Sequence, residues 1–162
     1  ALGEGILMLE IMEPSDLAVR FEFERCGYVI PEQARFMDRG IETALDVFNF
    51  EPIPADKVDA EFRCPPKVLT TDEQGNCLEE LIGADKTSCF TVKRASVNGS
   101  FVRNEEAFFY GVVTEGSGTL RIGDKVTQLN RWERFFCPAG VSNFQYESQS
   151  GMSILECYPG NT

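Results

Sequence analysis

At 162 residues, 43% of them hydrophobic and 13 of them phenylalanine, the chain is long enough to bury a core and has a globular composition. A formal net charge of −11 sets it against nucleic acid and anionic membrane as partners, because like charges repel, although a few arginines can still build one local anion site. No apolar run approaches the roughly 20 residues that span a bilayer, and no signal-peptide pattern opens the chain, so a soluble cytoplasmic protein is expected. Histidine is absent. That removes Ser-His and Cys-His nucleophilic pairs, the commonest general base and the commonest metal ligand. Cys26, Cys64, Cys77, Cys89, Cys137 and Cys157 are scattered without a C-x-x-C pair. They read as reduced thiols rather than a disulfide set, and their spacing does not suit a structural zinc site.

In chain order, residues 6–12 form a nearly continuous apolar run of strand length. Pro14-Ser15-Asp16 comes next as turn chemistry. Val19, Phe21 and Phe23 then alternate with Arg20, Glu22 and Glu24, the period of a half-buried strand. Together these segments predict a β-hairpin. With Ser15 at its centre, Glu10 falls across from Arg20 on one face, and a slip of one residue would separate them. Read from spacing alone, the pair is either a plain cross-strand ion pair or a functional one. Pro31 with Glu32 behind it predicts a helix start. After Gly40, the apolar positions Ile41, Ala44, Leu45 and Phe48 predict an amphipathic helix of two to three turns.

From Lys67 onward the pattern is all β. Residues 88–97 read as a strand ended by an Asn98-Gly99 turn, and residues 108–113 as another. Gly116-Ser117-Gly118 and Gly123-Asp124 read as turns, and residues 125–129, 134–137, 143–147 and 152–158 as short strands. This spacing predicts a sandwich or small barrel, with Phe108, Phe109, Phe135, Phe136 and Phe144 as core. Arg131 and Arg134, beside Trp132, read as surface arginines or as an anion site.

Val113-Thr114-Glu115-Gly116-Ser117-Gly118-Thr119-Leu120 and Phe135-Phe136-Cys137-Pro138-Ala139-Gly140 resemble the two motifs of a cupin, a small jelly-roll barrel. Metal-binding cupins place histidines and a carboxylate in the first motif and a histidine after the second. Here that later position is Asn143 and no histidine exists for the others, so the resemblance implies a cupin that binds no metal. Trp132 stands where the second motif opens on glycine. The stretch Leu7-Met8-Leu9-Glu10-Ile11-Met12-Glu13-Pro14-Ser15-Asp16-Leu17-Ala18-Val19-Arg20 resembles the signature of type I phosphomannose isomerases, with Met12 where many bacterial members have Gln. Ala34-Arg35-Phe36 and Ala44-Leu45-Asp46-Val47-Phe48-Asn49-Phe50 resemble the family's next helix. Phe90-Thr91-Val92-Lys93 and the cupin motifs arrive in the family's order.

This resemblance implies a mainly β fold, a cupin jelly roll with a short α-helical insert. It divides the chain into residues 1–30, a hairpin completing an upstream catalytic cupin; 31–66, a helical and extended connector; and 67–162, a metal-free C-terminal cupin. The implied activity is the zinc-dependent interconversion of mannose 6-phosphate and fructose 6-phosphate. Glu10 and Arg20 match its active-site glutamate and arginine, and Arg25 falls near a further basic residue able to meet the substrate's phosphate. The zinc ligands are implied upstream, since Ala1-Leu2-Gly3-Glu4-Gly5 resembles the residues just after the family's last zinc histidine. This chain alone is therefore expected to bind no zinc and to be inactive. Its partners would be a small sugar phosphate and the upstream cupin domain. The alternative is a non-catalytic cupin module that binds a sugar or sugar nucleotide, or mediates oligomerisation.

Overall fold

The computed structural model describes residues 4–11, 18–141 and 143–160. The chain divides into two compact units, Ala1–Ala60 and Glu61–Thr162.

In the first unit, two short strands, β1 (Glu24–Arg25) and β2 (Tyr28–Val29), pair antiparallel. They turn at Cys26-Gly27, where both residues have positive φ, as a tight hairpin requires. Helices α1 (Glu32–Arg35) and α2 (Gly40–Leu45) come next, and α3 (Ala55–Glu61) begins later in the unit. Pro31 caps α1 from just outside it, with Glu32 in the first turn, where an acid complements the helix dipole. Helix α2 is shorter than the apolar periodicity predicts. Val47 and Asn49, both modest helix formers, lie beyond its end. Phe48 N–H closes the turn onto the Leu45 carbonyl at 3.1 Å, and the Phe48 ring packs on Phe21 at 5.3 Å. Of the predicted apolar stripe, only Ala44 is buried.

The hairpin predicted for residues 6–24 does not form as a ladder. Among the described residues, 6–11 and 18–23 contain no strand. The Arg20 N–H donates to the Arg35 carbonyl at 2.8 Å, toward the end of α1 rather than toward a strand partner. Met12 and the predicted turn at Pro14-Ser15-Asp16 lie outside the described residues. The physical reason lies in the apolar run. A strand without polar alternation needs cover on both faces, yet Ile6, Leu7 and Met8 all remain more than half exposed.

The second unit is a single bent antiparallel sheet. Its strands are β3 (Lys67–Thr71), β4 (Cys77–Ile82), β5 (Phe90–Asn104), β6 (Phe109–Ile122), β7 (Lys125–Asn130), β8 (Arg134–Cys137) and β9 (Asn143–Pro159). The order is β3-β4-β5-β9-β6-β7, with β8 on the first half of β6. The long strands β5, β6 and β9 each serve both halves of the barrel, which is the jelly-roll arrangement that the sequence leads one to expect. Around them pack Ala95, Val97, Phe109, Val113, Leu129, Phe144, Tyr146 and Ile154.

Two dipeptide signals read as turns are instead bends within continuous strands. Asn98-Gly99 ends no strand: β5 runs through it, with a register shift against β9 between Val97 and Gly99 and φ +90° at Gly99. Gly116-Ser117-Gly118 likewise lies inside β6, where pairing with β9 shifts between Gly116 and Thr119. A side chain at Gly116 would collide with the Gly151 carbonyl, so close backbone approach is what fixes glycine there. Only Gly123-Asp124 makes the expected two-residue hairpin, between Ile122 and Lys125. The β5 bend is held by Asn76, which is fully buried. Its side chain donates to the Ser100 carbonyl at 2.8 Å and to Asp72 at 2.7 Å, and accepts from the Asn98 N–H at 2.7 Å.

Trp132, at the motif's glycine position, has φ 72°, a left-handed backbone that costs a side chain about 1–2 kcal/mol. Its compensation is the Arg131 guanidinium, 4.6 Å over the indole; such an exposed contact contributes about 0.5–1 kcal/mol. Trp132→Gly relieves the backbone while losing that contact, whereas Trp132→Ala loses the contact and keeps the strain. Thermal denaturation is expected to rank Trp132→Gly above Trp132→Ala by about 1 kcal/mol; the reverse order would remove this account of the loop.

Candidate functional site

Each unit has its own candidate. In the first, Arg20 and Arg25 line one cavity of about 470 Å³ together with Cys26, Tyr28, Ile30 and Ala34. The β1–β2 turn supplies three of these residues and α1 a fourth. The Arg25 guanidinium also pairs with Glu22 at 3.1 Å across an exposed surface, a contact worth about 0–1 kcal/mol. The structure thus brings together two of the three residues singled out from the sequence. Glu10 is exposed, within residues 6–11, and does not line this cavity.

In the second unit the barrel interior holds a polar cluster that the sequence reading missed. Glu156 is fully buried and Arg103 nearly so. One Arg103 nitrogen donates to both Glu156 oxygens, at 2.9 and 3.1 Å. The hydroxyls of Tyr146 and Tyr158 donate to the same carboxylate at 3.0 and 2.7 Å. Arg103 reaches Glu105 at 3.8 Å, and Glu105 accepts from Lys93 at 2.7 Å. The Lys93 ammonium rests 4.2 Å over the Tyr158 ring. Charges therefore alternate along Glu156, Arg103, Glu105 and Lys93, summing to zero. Lys93, Glu105 and Tyr158 also line a cavity of about 650 Å³ that Phe108 and Glu80 border.

Burial alone would lower the Arg103 pKa, but the Glu156 charge, followed by Tyr158 and Tyr146, outweighs it and holds the guanidinium above its ordinary value. Burial first, then the Glu156 charge, pushes both Tyr146 and Tyr158 far above the usual tyrosine range. With both its oxygens bonded, the Glu156 carboxylate is held in place. A signal for it exists in the sequence: Met152, Ile154, Glu156 and Tyr158 share one register of β9, so an acid stands in an otherwise inward-facing row. Of the arginines near Trp132, Arg131 donates to the Thr114 carbonyl at 3.0 Å, a loop-holding contact.

No family model and no curated protein matches the sequence. Solved structures do. Mannose 6-phosphate isomerase from Bacillus subtilis superposes with TM-score 0.54 at 16% identity, over 73% of this chain and 33% of that one. Ethanolamine utilization protein Q from Salmonella typhimurium gives 0.50 at 14%, over 60% of this chain and 98% of that one. A cupin-2 domain protein from Rhodospirillum rubrum gives 0.50 at 13%, over 69% and 78%. The fold is that of a cupin, a mainly β jelly roll with a short α-helical insert. Cupin folds serve proteins as different as an isomerase and an ethanolamine utilization protein, so activity has to be argued from the site. This chain spans one third of the isomerase's length.

Two measurements test the buried cluster. Glu156→Ala leaves the Arg103 charge uncompensated and is expected to cost about 3–5 kcal/mol in denaturant unfolding. Arg103→Met with Glu156→Leu removes both charges and should recover most of that loss; a double variant as unstable as the single would mean that the charges are not the source.

The second is pH. A pKa raised on folding leaves stability full below the ordinary tyrosine value of 10.0 and erodes it above, because the unfolded chain sheds those protons first. Each tyrosine then weakens the fold by about 1.4 kcal/mol per pH unit. Of the four tyrosines, Tyr28 and Tyr110 are exposed. Absorbance titration is expected to show Tyr146 and Tyr158 ionising only together with unfolding.

Proposed function

We propose that this chain is part of a sugar-phosphate aldose–ketose isomerase, acting between mannose 6-phosphate and fructose 6-phosphate, in which Arg20 and Arg25 hold the substrate's phosphate. The observation that carries this reading is that Arg20 and Arg25 both line one concavity of about 470 Å³, within the size range of small-ligand sites. Guanidinium matches phosphate in charge and in the fork geometry of its donors. The superposition on mannose 6-phosphate isomerase supports the reading further, since it covers more of the chain than the second unit alone provides.

An aldose–ketose isomerisation moves a proton between neighbouring carbons and develops negative charge on oxygen. Anchoring the phosphate fixes where those carbons lie, and Glu10 is the carboxylate assigned to proton transfer. Zinc does not fit this chain. Among the described residues no group of three or more Cys, Asp or Glu is placed to hold a metal ion, and there is no histidine. Any zinc of such an enzyme would be held by residues outside this chain, in an upstream cupin domain.

The second reading is a non-catalytic cupin module. The Glu156 cluster favours it, because the buried carboxylate is already satisfied by protein groups within the barrel.

Steady-state kinetics of the full protein with mannose 6-phosphate separate the two. Arg20→Ala and Arg25→Ala are each expected to raise KM about 10-fold or more, from the loss of a charge-assisted contact, and Glu10→Gln to lower kcat at little change in KM. Absence of isomerase turnover gives the second reading the lead. Turnover with KM unmoved in both arginine variants removes the phosphate role from this cavity.

A further inference from the structure

We infer that the second unit carries a binding site for an uncharged saccharide or polyol, in the concavity that β7 lines together with the bends of β5, β6 and β9. This site rests on the second reading, giving the cupin module a sugar to bind, and it uses residues other than Arg20 and Arg25 and a ligand without phosphate. Its volume is about 620 Å³, and hydroxyl, amide and carboxylate side chains dominate its lining.

The hydrogen-bonding capacity left open there is what points to a ligand. The side chains of Ser117, Gln128, Gln149 and Ser150 find no partner among the described residues. Ser100 accepts from Gln145 at 2.7 Å, so its own O–H remains to donate. Thr119 also lines the concavity. Glu147 accepts from Gln145 through one carboxylate oxygen at 2.9 Å, leaving the other to take ligand hydroxyls. Paired amides and a carboxylate, with donors and acceptors mixed, suit vicinal hydroxyl groups.

Charge selects against anions. No Lys or Arg lines the concavity among the described residues, and Arg121, 3.8 Å from Glu147, lies outside the lining. A phosphate ester would meet the Glu147 carboxylate and no cation. A neutral polyol loses nothing by that arrangement. A second concavity of about 340 Å³ adjoins the first through Ser150 and presents Asn98, Glu115 and Ser153, so the chemistry continues beyond one sugar ring.

Backbone-resolved NMR titration of the full chain with D-mannose, maltose and mannose 6-phosphate tests this. Saturable shifts at Ser117, Gln128, Gln149 and Ser150 are expected with mannose and maltose, with dissociation constants of about 1–10 mM, as befits a polar site without an aromatic platform. Maltose should bind more tightly than mannose, and mannose 6-phosphate should move these signals least. Gln128→Ala and Glu147→Gln, both at solvent-accessible positions, should each weaken the neutral sugars about 5- to 10-fold without altering the response of Arg20 or Arg25. No saturable shift with either neutral sugar overturns the inference, as does preference for the phosphate ester at these residues. Shifts that survive both substitutions place the sugar elsewhere and overturn it too.

Discussion

The buried carboxylate of Glu156 is the constraint on which the barrel depends. An isolated charge at that depth would cost several kcal/mol, so the residues around it are committed to satisfying it. Arg103 on β5 and Tyr146 and Tyr158 on β9 meet at one point, which fixes the register of the two strands that share the longest ladder. A slip by one residue would turn Glu156 outward and leave Arg103 facing hydrocarbon. The cluster contributes less through net stabilisation than by making wrong registers expensive. Glu105 and Lys93 extend the alternation to the cavity edge, so the charge never has to be balanced by solvent inside the barrel.

That arrangement is possible only because three strands are long and bent. Residues 90–104, 109–122 and 143–159 each cross from one half of the barrel to the other, and each bends at a glycine with positive φ: Gly99, Gly116 and Gly151. Asn-Gly and Gly-x-Gly are strong local signals for a chain reversal, and a local reading takes them so. A left-handed glycine serves a bulge equally well, and only the partner strand decides which is formed. This is why the strand-forming stretches from residue 88 onward were legible in the sequence while their joining into long strands was not, and β3 and β4 were not read as strands at all. The cupin resemblance carried the fold correctly because its motifs are these bends.

The candidate sites were legible to a different degree. Arg20 and Arg25 were found by resemblance, and they do share a cavity. Their partnership with Glu10 rested on a hairpin register, and pairing between segments far apart in pattern is what sequence periodicity fixes least. The backbone of Arg20 answers to Arg35 instead. Glu156 was hidden for the opposite reason. An acid between Leu155 and Cys157 reads as the polar member of an alternating strand. Yet its row on β9 also holds Tyr158 and, beyond the bend, Tyr146, whose hydroxyls make an inward carboxylate tolerable. Trp132 shows a third limit. Its left-handed backbone comes from the loop's closure onto Val113, where Trp132 N–H donates to the carbonyl at 2.7 Å, and nothing in tryptophan itself announces it.

Net charge and local charge have to be kept apart in judging these sites. A chain at −11 repels a phosphate dianion at long range, but that field is screened within about 10 Å at moderate salt. At contact distance the nearest groups decide. Glu22 is the local competitor for Arg25, and because that pair is exposed it holds the guanidinium by about 1 kcal/mol or less. So weak a hold on Arg25 is no barrier to exchanging Glu22 for another anion, whatever the sign of the whole chain. In the second unit the balance runs the other way. The cations Lys93, Arg94 and Arg103 are already engaged by Glu105, Glu79 and Glu156 at 2.7, 2.7 and 2.9 Å, two of them inside or at the edge of the barrel. Recruiting any of these three to an anion would strand a carboxylate.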